Sequence, residues 1–202
     1  DHTAITCETV RGIGKDLAWQ VDVRGQKSPV STATTSYADP KITAVTPANA
    51  PTSGGTVVLV EGTNFGHAPK LTFDGVAQQV KAGSVLTGGK HSVSFEVPKK
   101  TAAQQAKGVD IPVVVSYVDQ GASPPLTTPS AAFGFTFDDP IINNIEQPTS
   151  STIEIFGINF GPKSPHAKLR FFQNISGDWE NSNSIGQHIA ASDILVWEDE
   201  FL

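Results

Sequence analysis

The side chains that could do chemistry are few in this chain and lie far apart. Its histidines form neither a His-Glu-x-x-His helix motif nor another spacing that holds zinc. They are His2, His67, His91, His166 and His188. A Gly-x-Ser-x-Gly nucleophile elbow is also missing from the sequence. We therefore predict no catalytic residue, no metal site and no cofactor.

One glycine-rich stretch superficially resembles a phosphate-binding loop. Residues 12–16 read Gly-Ile-Gly-Lys-Asp, but Asp16 stands where such a loop needs Ser or Thr. Thr9 also occupies the position of the required first glycine. The sequence does not predict nucleotide binding here.

Acidic residues precede proline at two places, Asp39-Pro40 and 138–140 (Asp-Asp-Pro). Calcium needs about six to eight oxygen ligands, and only two or three are visible at these places. This favours short, proline-stiffened linkers with solvated acids over calcium sites.

Several residues could accept glycans. Residues 174–176 (Asn-Ile-Ser) form an N-glycosylation sequon. Tracts rich in Ser, Thr and Pro, at 28–36 and 123–130, could carry O-linked or hydroxyproline glycans or could be plain flexible loops. The candidate acceptors are Asn174, Ser123, Pro124, Pro125, Thr127 and Thr128.

Two near copies of one phrase indicate how the chain is organised. Residues 62–66 read Gly-Thr-Asn-Phe-Gly and residues 157–161 read Gly-Ile-Asn-Phe-Gly, each directly after a short apolar strand. Residues 37–42 also match 137–142, and 70–73 match 168–171. The sequence therefore predicts a tandem repeat of one β domain. We place the closing part of one repeat at 1–39, a complete repeat at 40–139 and the opening part of the next at 140–202.

The phrase predicts a tight corner, because Gly and Asn tolerate positive φ where a bulky side chain would be strained. Its phenylalanine would then plug the core. We interpret the motif as structural and not as a ligand site. The corner residues are Gly62, Asn64, Phe65, Gly66, Gly157, Asn159, Phe160 and Gly161.

Aligning the two copies predicts which strand residues face the core. Val58 and Val60 align with Ile153 and Ile155, whereas Leu59 aligns with the charged Glu154. Because side chains alternate between the two faces of a strand, the two valines and the two isoleucines should point inward. The same argument applies to the strand of Leu71 and Phe73 and to its copy at 169–171.

The end pieces allow two interpretations. The apolar pattern predicts that Ile5 and Cys7 share a strand of the first piece, and Cys7 could be a buried thiol or half of a disulfide. The chain reads as a window cut from a longer array. Alternatively, the tail of one chain could be completed by the head of another, as in strand complementation.

Charge and hydropathy limit the classes of partner that the sequence predicts. The formal net charge is −6, and the one lysine-rich loop, at 99–107, is better explained as solvated surface, so nucleic acid is not an expected partner. An apolar run near the roughly 20 residues of a membrane span does not occur. We expect no membrane insertion by this segment.

Four segments together resemble the IPT/TIG immunoglobulin-like domain. They are 40–47 (Pro-Lys-Ile-Thr-Ala-Val-Thr-Pro), 53–56 (Ser-Gly-Gly-Thr), the corner at 62–66 and 71–75 (Leu-Thr-Phe-Asp-Gly). The resemblance covers the middle repeat in full and the front of the third, which lacks the Gly-Gly-Thr turn. It implies an all-β fold of tandem immunoglobulin-like (IPT/TIG) β-sandwiches.

The resemblance also implies a set of functions. The family occurs in cell-surface receptors and adhesion proteins, in accessory modules of secreted carbohydrate-active enzymes and in Rel-type DNA-binding proteins. Together with composition it predicts a non-enzymatic extracellular or cell-surface glycoprotein that acts as spacer, adhesive or filament subunit. The expected partners are other proteins or copies of itself, with glycans as a further possibility. The accessory-module and Rel-type functions are the alternatives.

Overall fold

A computed structural model describes residues 3–10, 12–85, 90–107, 110–119, 126–163, 169–171 and 187–189. These residues form short β-strands and one six-residue helix. In chain order the elements are β1 Leu17–Ala18, β2 Asp22–Val23, β3 Gln26–Lys27, β4 Thr34–Thr35, β5 Lys41–Thr46, β6 Asn49–Ala50, β7 Val57–Thr63, β8 Lys70–Phe73, β9 Val76–Gln78, β10 Ala82–Val85, β11 Lys90–Glu96, α1 Ala102–Lys107, β12 Ile111–Asp119, β13 Leu126–Pro129, β14 Phe133–Phe137, β15 Ile141–Thr149, β16 Thr152–Ile158, β17 Leu169–Phe171 and β18 Gln187–Ile189.

The chain forms two compact units, and the first contains residues 1–46, 58–95 and 112–133. In it, four strands lie in the order β10-β11-β7-β5, and the pairs β10–β11 and β5–β7 are antiparallel. A second group pairs β12 with β8, β8 with β9 and β12 with β13, again antiparallel. The Phe73 ring on β8 lies 5.6 Å from the Phe95 ring on β11, so the two groups of strands face each other across a core.

Strand β7 has the predicted alternation. Val58 and Val60 are fully buried, whereas Leu59 between them is 41% exposed. Leu71 and Phe73 on β8 are also buried, as predicted. Val93 and Val113, on β11 and β12, complete this apolar layer. The core therefore lies between β7 with β11 on one side and β8 with β12 on the other.

The first forty residues are less regular than predicted. β1 pairs with β4 and β2 pairs with β3, each over only two residues. Residues 3–10 form no strand, Ile5 is 76% exposed and Cys7 is a free, exposed thiol. The predicted strand at Ile5 and Cys7 is therefore wrong in the described chain. An apolar alternation makes a strand only where a neighbouring strand completes its hydrogen-bond ladder.

The second unit contains residues 47–57, 96–111 and 134–202. Here β6 pairs with β14 in parallel, and β15 pairs with β16 in an antiparallel hairpin. β17 pairs with β18 so that Leu169 lies opposite Ile189, as Leu71 lies opposite Gln78 in the pair β8–β9. The helix α1 falls within the lysine-rich segment at 99–107.

The β15–β16 hairpin differs from the prediction in its burial. Ile153 is 47% exposed and Ile155 is half-buried, although both were predicted to face a core. Ile145 is 58% exposed, whereas Val45, its counterpart on β5, is buried. The reason is that, within the described ranges, this hairpin pairs as two strands alone and no second sheet covers it. Alternation fixes which face a residue lies on, but burial needs a covering layer.

The fold class is confirmed as all-β and immunoglobulin-like. The two units follow packing and not chain order, so the boundaries at 39/40 and 139/140 stay a prediction. No helix among the described residues has the length and apolar character to cross a membrane.

Candidate functional site

The corner at residues 62–66, called here the first corner, is built around a glycine on β7. Gly62 lies opposite Ile42 of β5. A Cβ there would collide with the Lys41 carbonyl oxygen and would lie 2.5 Å from Cζ of Phe65. Gly62 therefore leaves room for the Phe65 ring, which is fully buried against His91 at a centroid distance of 5.9 Å. The requirement is for close approach and not, as the sequence indicated, for positive φ.

The turn itself comes from the next two special positions. Asn64 has φ 60° and Gly66 has φ 75°, the left-handed region that Asn and Gly tolerate best. The Asn64 side-chain amide donates a hydrogen bond to the Asp39 carbonyl oxygen at 3.1 Å. The first corner is thereby fastened to the residue that precedes Pro40 and β5.

The corner at residues 157–161, the second corner, repeats this geometry. A Cβ on Gly157 would collide with the Ile141 carbonyl oxygen and would lie 2.5 Å from Cζ of Phe160. Asn159 has φ 61°, and its side-chain amide donates to the Asp139 carbonyl oxygen at 3.3 Å. Gly161 has φ 67°.

The strands that lead into the two corners also share an irregularity. The β5–β7 ladder shifts register between Ile42 and Ala44. The β15–β16 ladder shifts between Ile142 and Asn144, the positions that match by sequence. Two stretches far apart in the sequence thus form the same bulge, corner and side-chain hydrogen bond.

The two corners differ in burial. Phe65 is fully buried, whereas Phe160 is half-buried. The asparagines show the reverse, because Asn64 is exposed and Asn159 is 6% exposed. The prediction of a core plug therefore holds fully for Phe65 and only in part for Phe160.

Each corner also contacts a segment from earlier in the chain. At the first corner, a Cβ on Gly66 would lie 3.0 Å from Cγ2 of Ile13 and 3.2 Å from Cβ of Tyr117. The Gly14 amide donates to the Tyr117 hydroxyl at 3.4 Å. At the second corner, the Thr52 amide donates to Oδ1 of Asn159 at 3.4 Å.

Sequence reasoning missed Ile13, Tyr117 and Thr52 as corner contacts. Nothing in their local pattern marks them, because a contact at this sequence separation leaves no spacing signal. The glycines at 12 and 14, next to Ile13, are the nearest hint in the sequence.

The first acidic linker forms an ion pair that the sequence did not predict. Asp39 forms an ion pair with Lys15 at 2.8 Å, and Pro40 beside it is buried. The hydrogen bond from Lys15 to Asp39 raises the pKa of the lysine ammonium above its ordinary value. The contribution that the lysine's titration makes to stability is therefore complete at neutral pH and is lost as the pH rises through the raised pKa. Asp39 is solvent-exposed, as expected of a linker acid, and also forms this ion pair.

The second linker is held by backbone and amide groups. The Asp138 amide donates to the Ala50 carbonyl oxygen at 2.8 Å, and the Asn49 side-chain amide donates to the Asp138 carboxylate. Pro140 is exposed. Among the residues that the structure describes, no three His, Cys, Asp or Glu side chains come together as metal ligands.

The glycan candidates are unequal in accessibility. Thr127 is exposed, whereas Thr128 is buried opposite Tyr117 in the β12–β13 pair. The structure therefore favours Thr127 over Thr128 as an acceptor. Asn174, Ser123, Pro124 and Pro125 lie outside the described residues.

Comparisons with known proteins identify an IPT/TIG domain at residues 40–130. Among solved structures, the chain is similar to the Plexin A4 full extracellular region, domains 1 to 10, at 21% identity and a TM-score of 0.36. That match covers 65% of this chain and 10% of the plexin chain, so this chain spans about a tenth of that protein's extracellular region. A search of curated proteins found no match.

Proposed function

We propose that this chain is a segment of a non-enzymatic extracellular or cell-surface glycoprotein, in which tandem immunoglobulin-like repeats act as a spacer or adhesive element. The observation that carries the proposal is the duplicated corner. An IPT/TIG domain at 40–130 contains one copy, and the other follows it at 157–161. An array of like units spans distance and presents surfaces, and it does so without catalytic groups.

Exposed apolar residues supply a means of binding. Val57 and Leu59 lie on the outer face of β7 and are 53% and 41% exposed. Val76, on β9, is 64% exposed. Sheet faces and edges of this kind bind other proteins through apolar contact and added strands. Partners of this class include further copies of the chain, which would give a filament.

Surface labelling tests the location. An antibody against this chain is applied to intact cells of its source before and after protease treatment. We expect labelling without permeabilisation and its loss after protease. Labelling only after permeabilisation would contradict an extracellular role and would favour an intracellular one.

Secreted expression tests the glycoprotein component. The chain is secreted from a eukaryotic host, and its intact mass is compared before and after N-glycosidase treatment. We expect a mass loss that Asn174→Gln abolishes and Asn181→Gln does not, because Asn181 lies in the same stretch but outside any sequon. An unshifted mass in the parent chain would contradict N-glycosylation.

Sedimentation tests self-binding. We expect the parent chain to associate with rising concentration and Leu59→Lys to weaken the association, since a charge would enter an exposed apolar face. Thr127→Lys adds the same charge at another exposed position and serves as the control. Concentration-independent sedimentation as a monomer would remove copies of the chain from the partner list.

A further inference from the structure

The second corner contacts a loop that lies more than one hundred positions earlier in the chain. Oδ1 of Asn159 accepts the Thr52 amide at 3.4 Å over a sequence separation of 107 residues. Thr52 is fully buried and Asn159 is 6% exposed, so water does not compete freely for this hydrogen bond. A buried polar contact that links such distant segments is a candidate joint.

The same side chain also holds the linker. Nδ2 of Asn159 donates to the Asp139 carbonyl oxygen at 3.3 Å, so one amide group bridges residues 52 and 139. The position needs a short side chain with both a donor and an acceptor and a backbone that tolerates φ 61°. Asn meets all three requirements, because Asp lacks the donor and Gly lacks both polar groups.

The two segments that this amide joins are themselves firmly held. The Thr52 carbonyl oxygen accepts the Lys100 amide at 2.8 Å, and Gly55 donates to the Val97 carbonyl oxygen at 2.9 Å. On the linker side, the Asp138 amide donates to Ala50 at 2.8 Å. Loop 50–55 is therefore held in place by backbone hydrogen bonds. The Asn159 side chain links this loop to the linker residue Asp139.

The first corner has an analogous neighbour. Gly66 lies against Ile13, which precedes the linker at Asp39-Pro40, and the Asn64 amide reaches the Asp39 carbonyl oxygen. In each copy, then, the asparagine binds the linker residue that precedes β5 or β15, the strand paired with the one that leads into the corner. In each copy the corner also contacts a residue that lies on the far side of that linker. A turn that served only its own sheet would not need this second contact, across the linker.

We infer that the corner motif is a joint between successive repeats, and that Asn159 is the latch that couples the loop at Thr52 to the linker at Asp139. The geometry makes the linker a fixed connection, since its backbone is bonded from both sides. This inference goes beyond the proposed function, because the latch would stiffen the chain in any cellular location and with any partner. Only the description of the corner as a joint between repeats rests on the proposed tandem arrangement.

Amide hydrogen exchange in the full 202-residue chain tests the latch, with Thr52 as the reporter. Asn159→Gly keeps the backbone conformation and removes both polar groups. Asn159→Asp keeps an acceptor for Thr52 and removes the donor to Asp139. Asn64→Gly is the matched control, because it deletes the equivalent side chain at the first corner.

We expect Thr52 to exchange about two- to tenfold faster in Asn159→Gly, the loss that one ordinary hydrogen bond gives. The rate should stay within about twofold of the parent in Asn159→Asp and in Asn64→Gly. The Asp139–Ile141 backbone should gain fast motion in both Asn159 variants, as measured by ¹⁵N relaxation. An unchanged Thr52 rate in folded Asn159→Gly would overturn the latch.

If Asn159→Gly does not fold, Asn159→Asp alone tests the latch. In Asn159→Asp the latch predicts a protected Thr52 beside a loosened linker, whereas a purely local turn predicts equal changes at both. Equal changes would overturn the inference. These readouts do not depend on secretion or glycans, so failure of the latch and failure of the proposed function are distinguishable.

Discussion

At the scale of single residues, the two glycines that begin the corners are the most constrained positions. Gly62 and Gly157 each lie under a phenylalanine ring and against the backbone carbonyl of the neighbouring strand. A backbone oxygen cannot move aside as the end of a flexible side chain can. These positions therefore exclude any Cβ for steric reasons alone.

Gly62→Ala should lower the free energy of unfolding by on the order of 3 kcal/mol, the upper range for overpacking a core. Denaturant unfolding of the full chain, followed by circular dichroism, measures the loss. Gly134→Ala is the control, because a Cβ there would meet only the Asp110 carboxylate oxygen, at 2.8 Å, and that side chain can rotate away. Similar losses in the two variants would contradict the steric argument.

The two phenylalanines give the matched test of burial. Phe65→Ala should cost about 3–5 kcal/mol, as truncation of a fully buried ring does. Phe160→Ala should cost less, because that ring is half-buried. Both are measured by thermal unfolding at one pH. An equal effect would mean that the corners bury their rings to the same extent, against the structure.

The corner was partly predictable from sequence. Positive φ at Asn64, Gly66, Asn159 and Gly161 follows from residue type, and the structure confirms it. The close approach at Gly62 could not be inferred, since it depends on where the Phe65 ring folds back. The partners of the corners were equally hidden, because they come from the distant positions 13, 52 and 117.

At the scale of elements, strand β12 connects the sheet core to the first segment of the chain. Its Tyr117 is the largest fully buried side chain among the described residues and pairs with Thr128 of β13. Its hydroxyl accepts the amide of Gly14, which is itself buried. The strand thus fixes a segment that has little regular structure of its own.

Tyr117→Phe should destabilise the chain by about 0.5–1.5 kcal/mol, because the Gly14 amide loses its acceptor in a buried place. The Gly14 amide should also exchange faster, which distinguishes this cause from a general loss of packing. Tyr37→Phe is the control, since that hydroxyl donates to the Val10 carbonyl oxygen at an exposed site. Faster Gly14 exchange in the control but not in Tyr117→Phe would contradict the assignment.

Strand faces were predictable where the two copies could be compared, and burial was not. The alignment of Leu59 with Glu154 identified the inward pair Val58 and Val60 correctly. The same alignment failed for Ile153, because a covering layer is a property of tertiary packing. The strand prediction at residues 3–10 failed for a related reason, since periodicity does not supply a strand partner.

At the scale of the whole molecule, the lysines at 99–107 can be compared with the expectation that they are solvated surface. In the lysine-rich stretch, the Lys100 ammonium lies over the Phe137 ring at 5.3 Å. Such a contact uses the ammonium within the protein. The formal net charge is −6, and the absence of nucleic acid among the partners stays a prediction.

Stability should be distributed unevenly along the chain, since packing is. Val58 on β7 and Val113 on β12 are fully buried, whereas Ile145 and Ile153 on the β15–β16 hairpin are about half exposed. A strand pair without a covering layer opens locally at low cost, and a core strand opens only with global unfolding.

Hydrogen exchange of the full chain measures this difference directly. We expect the amides of β7 and β12 to be protected by about the global unfolding free energy, roughly 5–15 kcal/mol for a domain. The amides of β15 and β16 should exchange at least about a hundredfold faster, because local opening bypasses the global barrier. Adding denaturant should accelerate the first group strongly and the second only weakly, since local opening exposes little new surface. Equal protection and equal denaturant dependence in both groups would contradict this and would mean that the hairpin opens only together with the core.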